Sequence, residues 1–201
     1  MMEFFAKGGP ILVILVVMSI LSLALIIERF LAIHKVKRQL RKQSQPVQLE
    51  VEASWPEPAR PILQEVYVVL QRDPSDEAME KVRDRALEKV ADQLESHLDL
   101  VAMTINLAPL LGLMGTVTGM ISTFTVFSEL GSRQPQLLAG GISEALLTTA
   151  AGLAIAIMNT ALHHYLIKQV DGRLAEIEEL CDQAVVSWRE RGSSDAASTT
   201  G

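Results

Sequence analysis

Three long stretches with almost no charge constrain this chain more than any other feature. Residues 8–27 carry no charged side chain, residues 100–128 carry none, and residues 134–167 carry one, Glu144. Each is long enough to cross the ~30 Å hydrocarbon core of a bilayer as a helix, which takes about 20 apolar residues. In lipid the backbone must satisfy its own polar groups, so an apolar run of this length is helical. A transmembrane barrel would instead show alternating stretches of about ten residues. The chain is therefore expected to be all-α: a polytopic membrane protein with three transmembrane helices. The one cysteine, Cys181, excludes an intramolecular disulfide and a cysteine-rich metal site.

Charge sets the expected orientation. The only base before the first run is Lys7, balanced by Glu3, so the run does not have the basic flank of a secretory signal. After it come Arg29, Lys35, Lys37, Arg38, Arg41 and Lys42, with no acid between residues 30 and 49. The positive-inside rule places that cluster in the cytoplasm and the N-terminus outside. Three crossings then leave Lys7 and Arg133 outside and the other 16 of the 18 Lys and Arg residues inside, with a cytoplasmic C-terminus. The expected organisation is a first transmembrane helix in 1–34 and a cytoplasmic basic segment, linker and helices in 35–99. A second transmembrane helix follows in 100–128, an outer loop in 129–137 and a third transmembrane helix in 138–167. A cytoplasmic helix in 168–191 and a disordered tail in 192–201 complete the chain.

Within the cytoplasmic part, residues 43–61 hold Pro46, Pro56, Pro58 and Pro61 and read as a linker. Residues 62–72 fit one short helix. Asp73-Pro74 reads as an N-cap followed by proline in the first helical position. From there Met79, Val82, Ala86, Val90, Leu94, Leu98 and Val101 recur at spacings of three and four, a helical apolar stripe that enters the second span without a turn signal. A helix from 75 to 128 would be ~80 Å long, far more than the membrane needs. The second and third spans are thus expected to extend into a cytoplasmic helical bundle.

Both later spans divide into two faces. At 100° per residue, Thr104, Ala108, Gly112, Gly115, Thr116, Gly119, Ser122 and Thr123 gather on one side of the second span, opposite Leu110, Leu113, Met114, Val117, Met120, Ile121 and Phe124. Pro109 lies near the inner end and should loosen the helix. In the third span Gly141, Glu144, Ala145, Thr148, Thr149, Gly152, Ala156 and Asn159 share a face. Small residues let helices approach closely, and Gly115-xxx-Gly119 has that form. Glu144 has two readings. It is either a solvated or capping residue near the outer headgroups, or an intramembrane carboxyl on a polar path, where ionisable groups mark ion routes. Thr116, Thr148 and Thr149 either bond their own helix backbone or relay protons.

The same residues carry a resemblance. Ala108-Pro109-Leu110-Leu111-Gly112-Leu113-Met114-Gly115-Thr116-Val117-Thr118-Gly119 resembles the second-span signature of the MotA/TolQ/ExbB proton-channel family. Gly141-Ile142-Ser143-Glu144-Ala145-Leu146-Leu147-Thr148-Thr149-Ala150-Ala151-Gly152-Leu153 resembles its third-span signature, especially in ExbB and TolQ. Glu28-Arg29 is similar to a pair closing the family's first span. The resemblance implies a bacterial inner-membrane protein whose 129–137 loop is periplasmic. It implies a homo-oligomeric ring, a pentamer, around an ExbD/TolR-like single-span subunit with an intramembrane aspartate. Proton flow then drives a TonB- or TolA-like transducer acting at the outer membrane. By position, Glu144 matches the pore glutamate, Thr116 the second-span polar residue and Thr149 the third-span threonine, with Thr148 beside it. The chain departs where the family often has proline: Met158 stands there, followed by Asn159, which adds a polar group to the pore-side face. Three spans fit ExbB and TolQ better than flagellar stators, which have four.

His163-His164 beside Tyr165 reads as an interfacial anchor, with a role in proton exit as the alternative, and the 35–42 cluster as a topology determinant touching anionic membrane lipid. No cofactor, metal or nucleic-acid motif is found, and no residue set looks like an enzyme's reaction centre. The alternative function is a non-conducting helical membrane scaffold that recruits partners through its cytoplasmic bundle.

Overall fold

A computed structural model describes residues 9–41, 59–72, 75–130 and 135–198. The described residues form five helices and no strand: α1 Gly9–Arg41, α2 Arg60–Arg72, α3 Asp76–Glu95, α4 Leu98–Leu130 and α5 Pro135–Ser198. Of these, α1, α4 and α5 are long and apolar enough to cross a membrane. The described residues thus give an all-helical fold with three candidate spans, as the uncharged runs require.

The helices contribute to two compact units, one within Met1–Glu28 and His97–Leu166, the other within Arg29–Ser96 and Ile167–Gly201. In the first unit the buried positions are Leu12, Leu15, Ser22 and Ile26 on α1, Leu98, Val101, Thr104 and Ala108 on α4, and Ala145, Thr148, Ala156, Asn159 and Leu166 on α5. Spacings of three and four put them in one seam per helix, the pattern of bundle packing. Where α4 and α5 meet, between Ala108 and Gly115 and between Ala145 and Ala156, the buried positions are small residues; larger aliphatic side chains fill the seam along α1 and around Leu98 and Leu166, and many other bulky residues point outward. Leu110, Leu113, Val117, Ile121 and Phe124 on α4 and Leu146, Leu153 and Ile157 on α5 are exposed, Ile157 by 70%. An outer surface this apolar belongs against lipid or other subunits rather than water.

The second unit has the opposite polarity. Its core is Ile33 and Leu40 of α1, Ile62, Leu63 and Val66 of α2, Met79, Ala86, Val90 and Leu94 of α3, and Val170, Ile177, Cys181 and Ala184 of α5. Its outside is charged: Lys89 reaches Glu65 at 2.7 Å, and Arg83 reaches Asp182 at 2.9 Å. Arg29 Nη1 donates to the Gln93 carbonyl at 3.0 Å, satisfying a group in the last turn of α3. This is a bundle built for water.

Five boundaries differ from the sequence expectation. The helix expected to run from 75 to 128 is broken: α3 ends at Glu95, and His97 takes a φ of 69° before α4 begins. That left-handed conformation is uncommon outside glycine, although histidine is among the residues that tolerate it. The His97 carbonyl accepts from the Leu100 and Val101 amides and so opens α4. The start of α3 lies two residues beyond the expected cap, with the Ser75 carbonyl accepting from Met79 N–H at 3.2 Å; Asp73 and Pro74 lie outside the described residues. Helix α2 starts at Arg60, with Pro61 tolerated in its first turn. Helix α5 runs to Ser198, beyond the residue 191 limit read from composition, because extending a formed helix needs no new nucleus. The connection between the second and third candidate spans is shorter than the expected 129–137, since α4 reaches Leu130 and α5 begins at Pro135.

Candidate functional site

Glycine fixes how α4 and α5 meet. A Cβ added at Gly112 would come within 3.0 Å of the Thr148 carbonyl oxygen and 3.0 Å of Thr149 Cα. One added at Gly152 would collide with the Ala108 carbonyl oxygen, and one at Gly115 would stand 2.7 Å from Thr148 Oγ1. At Gly119 it would meet Ala145 Cβ at 2.9 Å. The two backbones therefore approach as only small residues allow. Thr149 Oγ1 uses this closeness and donates to the Gly112 carbonyl at 2.8 Å, a hydrogen bond between helices. Pro109 lies one residue past Ala108 inside α4, and the helix continues through it.

Toward the other end of this contact the helices leave a pocket of about 350 Å³. Glu144 lines it with Thr118, Ser122 and Thr123 of α4 and Gly141, Ala145 and Thr148 of α5, and Pro10 and Ile11 of α1 close one side. The hydroxyl protons are largely committed to backbone. Thr118 donates to the Met114 carbonyl at 2.9 Å, Thr123 to that of Gly119 at 2.7 Å and Thr148 to that of Ala145 at 2.5 Å. Their oxygens keep lone pairs, so the lining beside Glu144 offers acceptors.

The sequence placed Thr116, Thr148, Thr149, Asn159 and Glu144 on related faces, and the structure separates them. Thr148 shares Glu144's pocket. Thr149 is engaged with Gly112, and Thr116 bonds its own helix at the Leu113 carbonyl, 2.7 Å away. Asn159 is 1% exposed and faces α1: its Nδ2 donates to Ser22 Oγ at 3.0 Å. Ser22, a polar residue within an uncharged run, is the partner that sequence reading missed. Its place in the buried seam with Leu15 and Ile26 shows only in the structure, because α1 is apolar all round. Thr118 was missed as well, and Ser122 and Thr123 were seen only as members of the small face. Glu28 stands 3.8 Å from His97 Nδ1.

Comparison with known proteins gives the arrangement a family. The profile of the MotA/TolQ/ExbB proton channel family matches residues 54–179. An ExbB-like biopolymer transport protein of Synechocystis sp. is 32% identical over 184 residues, covering 83% of this chain and 70% of that protein. The biopolymer transport protein exbB1 of Vibrio cholerae is 40% identical over 93 residues, 46% of this chain and 41% of its own length. The Tol-Pal system protein TolQ of Haemophilus influenzae is 36% identical over 72 residues, 36% of this chain and 32% of its own length. With the profile matched over more than half its length and a relative aligned across most of it, this chain belongs to the MotA/TolQ/ExbB proton channel family.

Proposed function

We propose that this chain is the ring-forming subunit of an inner-membrane proton channel of the ExbB/TolQ type, and that Glu144 lies in its ion path. The observation that carries this reading is the pocket around Glu144: a carboxyl within an otherwise uncharged stretch, lined by Thr118, Ser122, Thr123 and Thr148. A carboxyl set in an acceptor-lined cavity at membrane depth can take up and release a proton, which is why such residues mark ion routes. The apolar outer surface supports assembly with lipid and further copies, for which the family suggests a pentameric ring.

In this reading the N-terminus is periplasmic and the charged bundle cytoplasmic, which leaves 16 of 18 Lys and Arg residues inside. A single-span partner like ExbD or TolR supplies an aspartate inside the ring. Protons pass between that aspartate and the acceptor-lined groove, and the relative motion is delivered to a TonB- or TolA-like protein. The hydroxyl lining suits H⁺ and has room for Na⁺. Glu144→Ala should abolish energy transduction while rings of normal size are still purified. Thr149→Val should also reduce it, and Thr149→Ser, which keeps the hydroxyl toward Gly112, should restore it. Failure of assembly in both Glu144→Ala and Thr149→Val would make these residues structural.

The scaffold reading is favoured by one observation, the use of the Thr149 hydroxyl in holding α4 and α5 together. It predicts that Glu144→Gln is harmless.

A further inference from the structure

On α1, residues Phe30, Leu31, His34, Lys35, Arg38 and Gln39 line an open groove of about 490 Å³. It lies on the side of α1 away from Arg29, Ile33 and Leu40, which are buried. Its two ends differ in chemistry. Phe30 and Leu31 are exposed, Leu31 by 62%, and offer apolar carbon. One turn further along, the exposed Lys35 and Arg38 bring two positive charges, with His34 between them and Phe30. The His34 and Phe30 rings lie 4.3 Å apart, centroid to centroid, which gives the groove a firm floor. Among the described residues, neither Lys35 nor Arg38 stands within ion-pair distance of a carboxylate. The nearest acid in sequence, Glu28, is directed to His97 instead.

We propose that this groove binds the headgroup of an anionic phospholipid, with its phosphodiester between Lys35 and Arg38 and an acyl chain over Phe30 and Leu31. The inference goes beyond the channel reading and rests only on α1 crossing the membrane. The order of groups along α1 matches the order of depth in a leaflet. The uncharged run of residues 8–27 comes first, then the exposed ring and leucine, then the cations at about the level of the phosphates. Two unpaired cations call for an anionic occupant, and the adjoining carbon calls for one with a tail. A free phosphate would use only half of the groove. A second copy packed two-fold on this face would bring its own basic segment against this one.

The test uses the full chain purified from membranes containing equimolar phosphatidylglycerol and phosphatidylethanolamine, with retained lipid measured by mass spectrometry. The wild type should retain phosphatidylglycerol selectively. The double variant Lys35→Gln/Arg38→Gln should lower that retention by on the order of tenfold, since each cation near the surface contributes to binding anionic lipid. Lys37, Arg41 and Lys42 remain to hold the topology. Lys81→Gln, an exposed cation on α3, should change nothing. Equal phosphatidylglycerol retention in wild type and double variant overturns the proposal. So does displacement of the lipid by inorganic phosphate, which makes the groove a free-anion site. A change in oligomer size in the double variant with unchanged lipid also overturns it, and makes the groove a contact between copies.

Discussion

Asn159 on the third span and Ser22 on the first are hydrogen-bonded to each other across 137 residues of sequence, Asn159 Nδ2 donating to Ser22 Oγ at 3.0 Å. Ser22 passes its own proton to the Ser19 carbonyl at 3.0 Å, so the amide, the hydroxyl and the α1 backbone form one chain. Both residues are 1% exposed. In a seam made mostly of apolar side chains, this pair fixes how α1 lies along α5, because any slip leaves two buried polar groups without partners.

A double-mutant cycle measures the pair. Ser22→Ala and Asn159→Leu should each destabilise the protein, and the double variant should lose less than their sum. The expected coupling is about 0.6 kcal/mol and at most about 1.7 kcal/mol, the range found for hydrogen bonds between membrane helices. Reversible unfolding in mixed micelles gives the four values. Additive losses would show that the two side chains do not depend on each other.

Gly152 should be the least replaceable glycine. A Cβ there would clash with the Ala108 carbonyl oxygen, and backbone cannot move aside as a flexible side chain can. Gly152→Ala is expected to cost about 1–3 kcal/mol through forced separation of the helices. Gly140→Ala and Gly172→Ala, whose added methyl groups would meet nothing within 4 Å, should be neutral or stabilising by up to about 1 kcal/mol. Thermal unfolding of the three variants in one detergent separates the cases.

The three candidate spans and the two-faced character of the later two were legible because lipid removes alternatives: an uncharged run of that length has to be a helix, and the side opposite its small residues is free to carry bulky ones. Leu110, Ile121 and Ile157 lie where that argument puts them. The break at His97 was not legible, since neither glycine nor proline marks it and the apolar stripe passes through Leu98 and Val101 without interruption. The setting of Asn159 was hidden for a different reason. A helical wheel shows which residues share a face, but not which neighbour covers that face at each level. Over the 15 residues from Glu144 the neighbour changes, from α4 to the Ser22 side of α1. Ser22 itself was passed over because the two serines of this apolar run, Ser19 and Ser22, do not by themselves mark which one is buried.

Cys181 should be nearly inert in the folded protein. It is 1% exposed, and burial first, then the charge of Asp182, pushes its thiol up to about 12 from an ordinary 9.0. At pH 8 the folded protein should hold about a thousandfold less thiolate than the unfolded chain, because each pH unit of difference is a factor of ten. Alkylation by iodoacetamide should therefore be slow until denaturant is added. Below pH 9 both states keep the proton and the thiol leaves stability unchanged. Between 9 and 12 the unfolded chain releases it while the folded one retains it, so stability should fall as pH rises, and Cys181→Ala should remove that part of the fall. Rapid labelling of the native protein at pH 8 would contradict this burial.

The most direct measurement is proton uptake into liposomes that contain this chain together with a single-span subunit bearing an intramembrane aspartate, comparing wild type with Glu144→Gln. The account predicts uptake that requires both subunits and falls by at least about tenfold in the variant, while the assembled complex keeps its size. Equal uptake by wild-type and Glu144→Gln complexes of the same size would contradict it and take Glu144 out of the ion path.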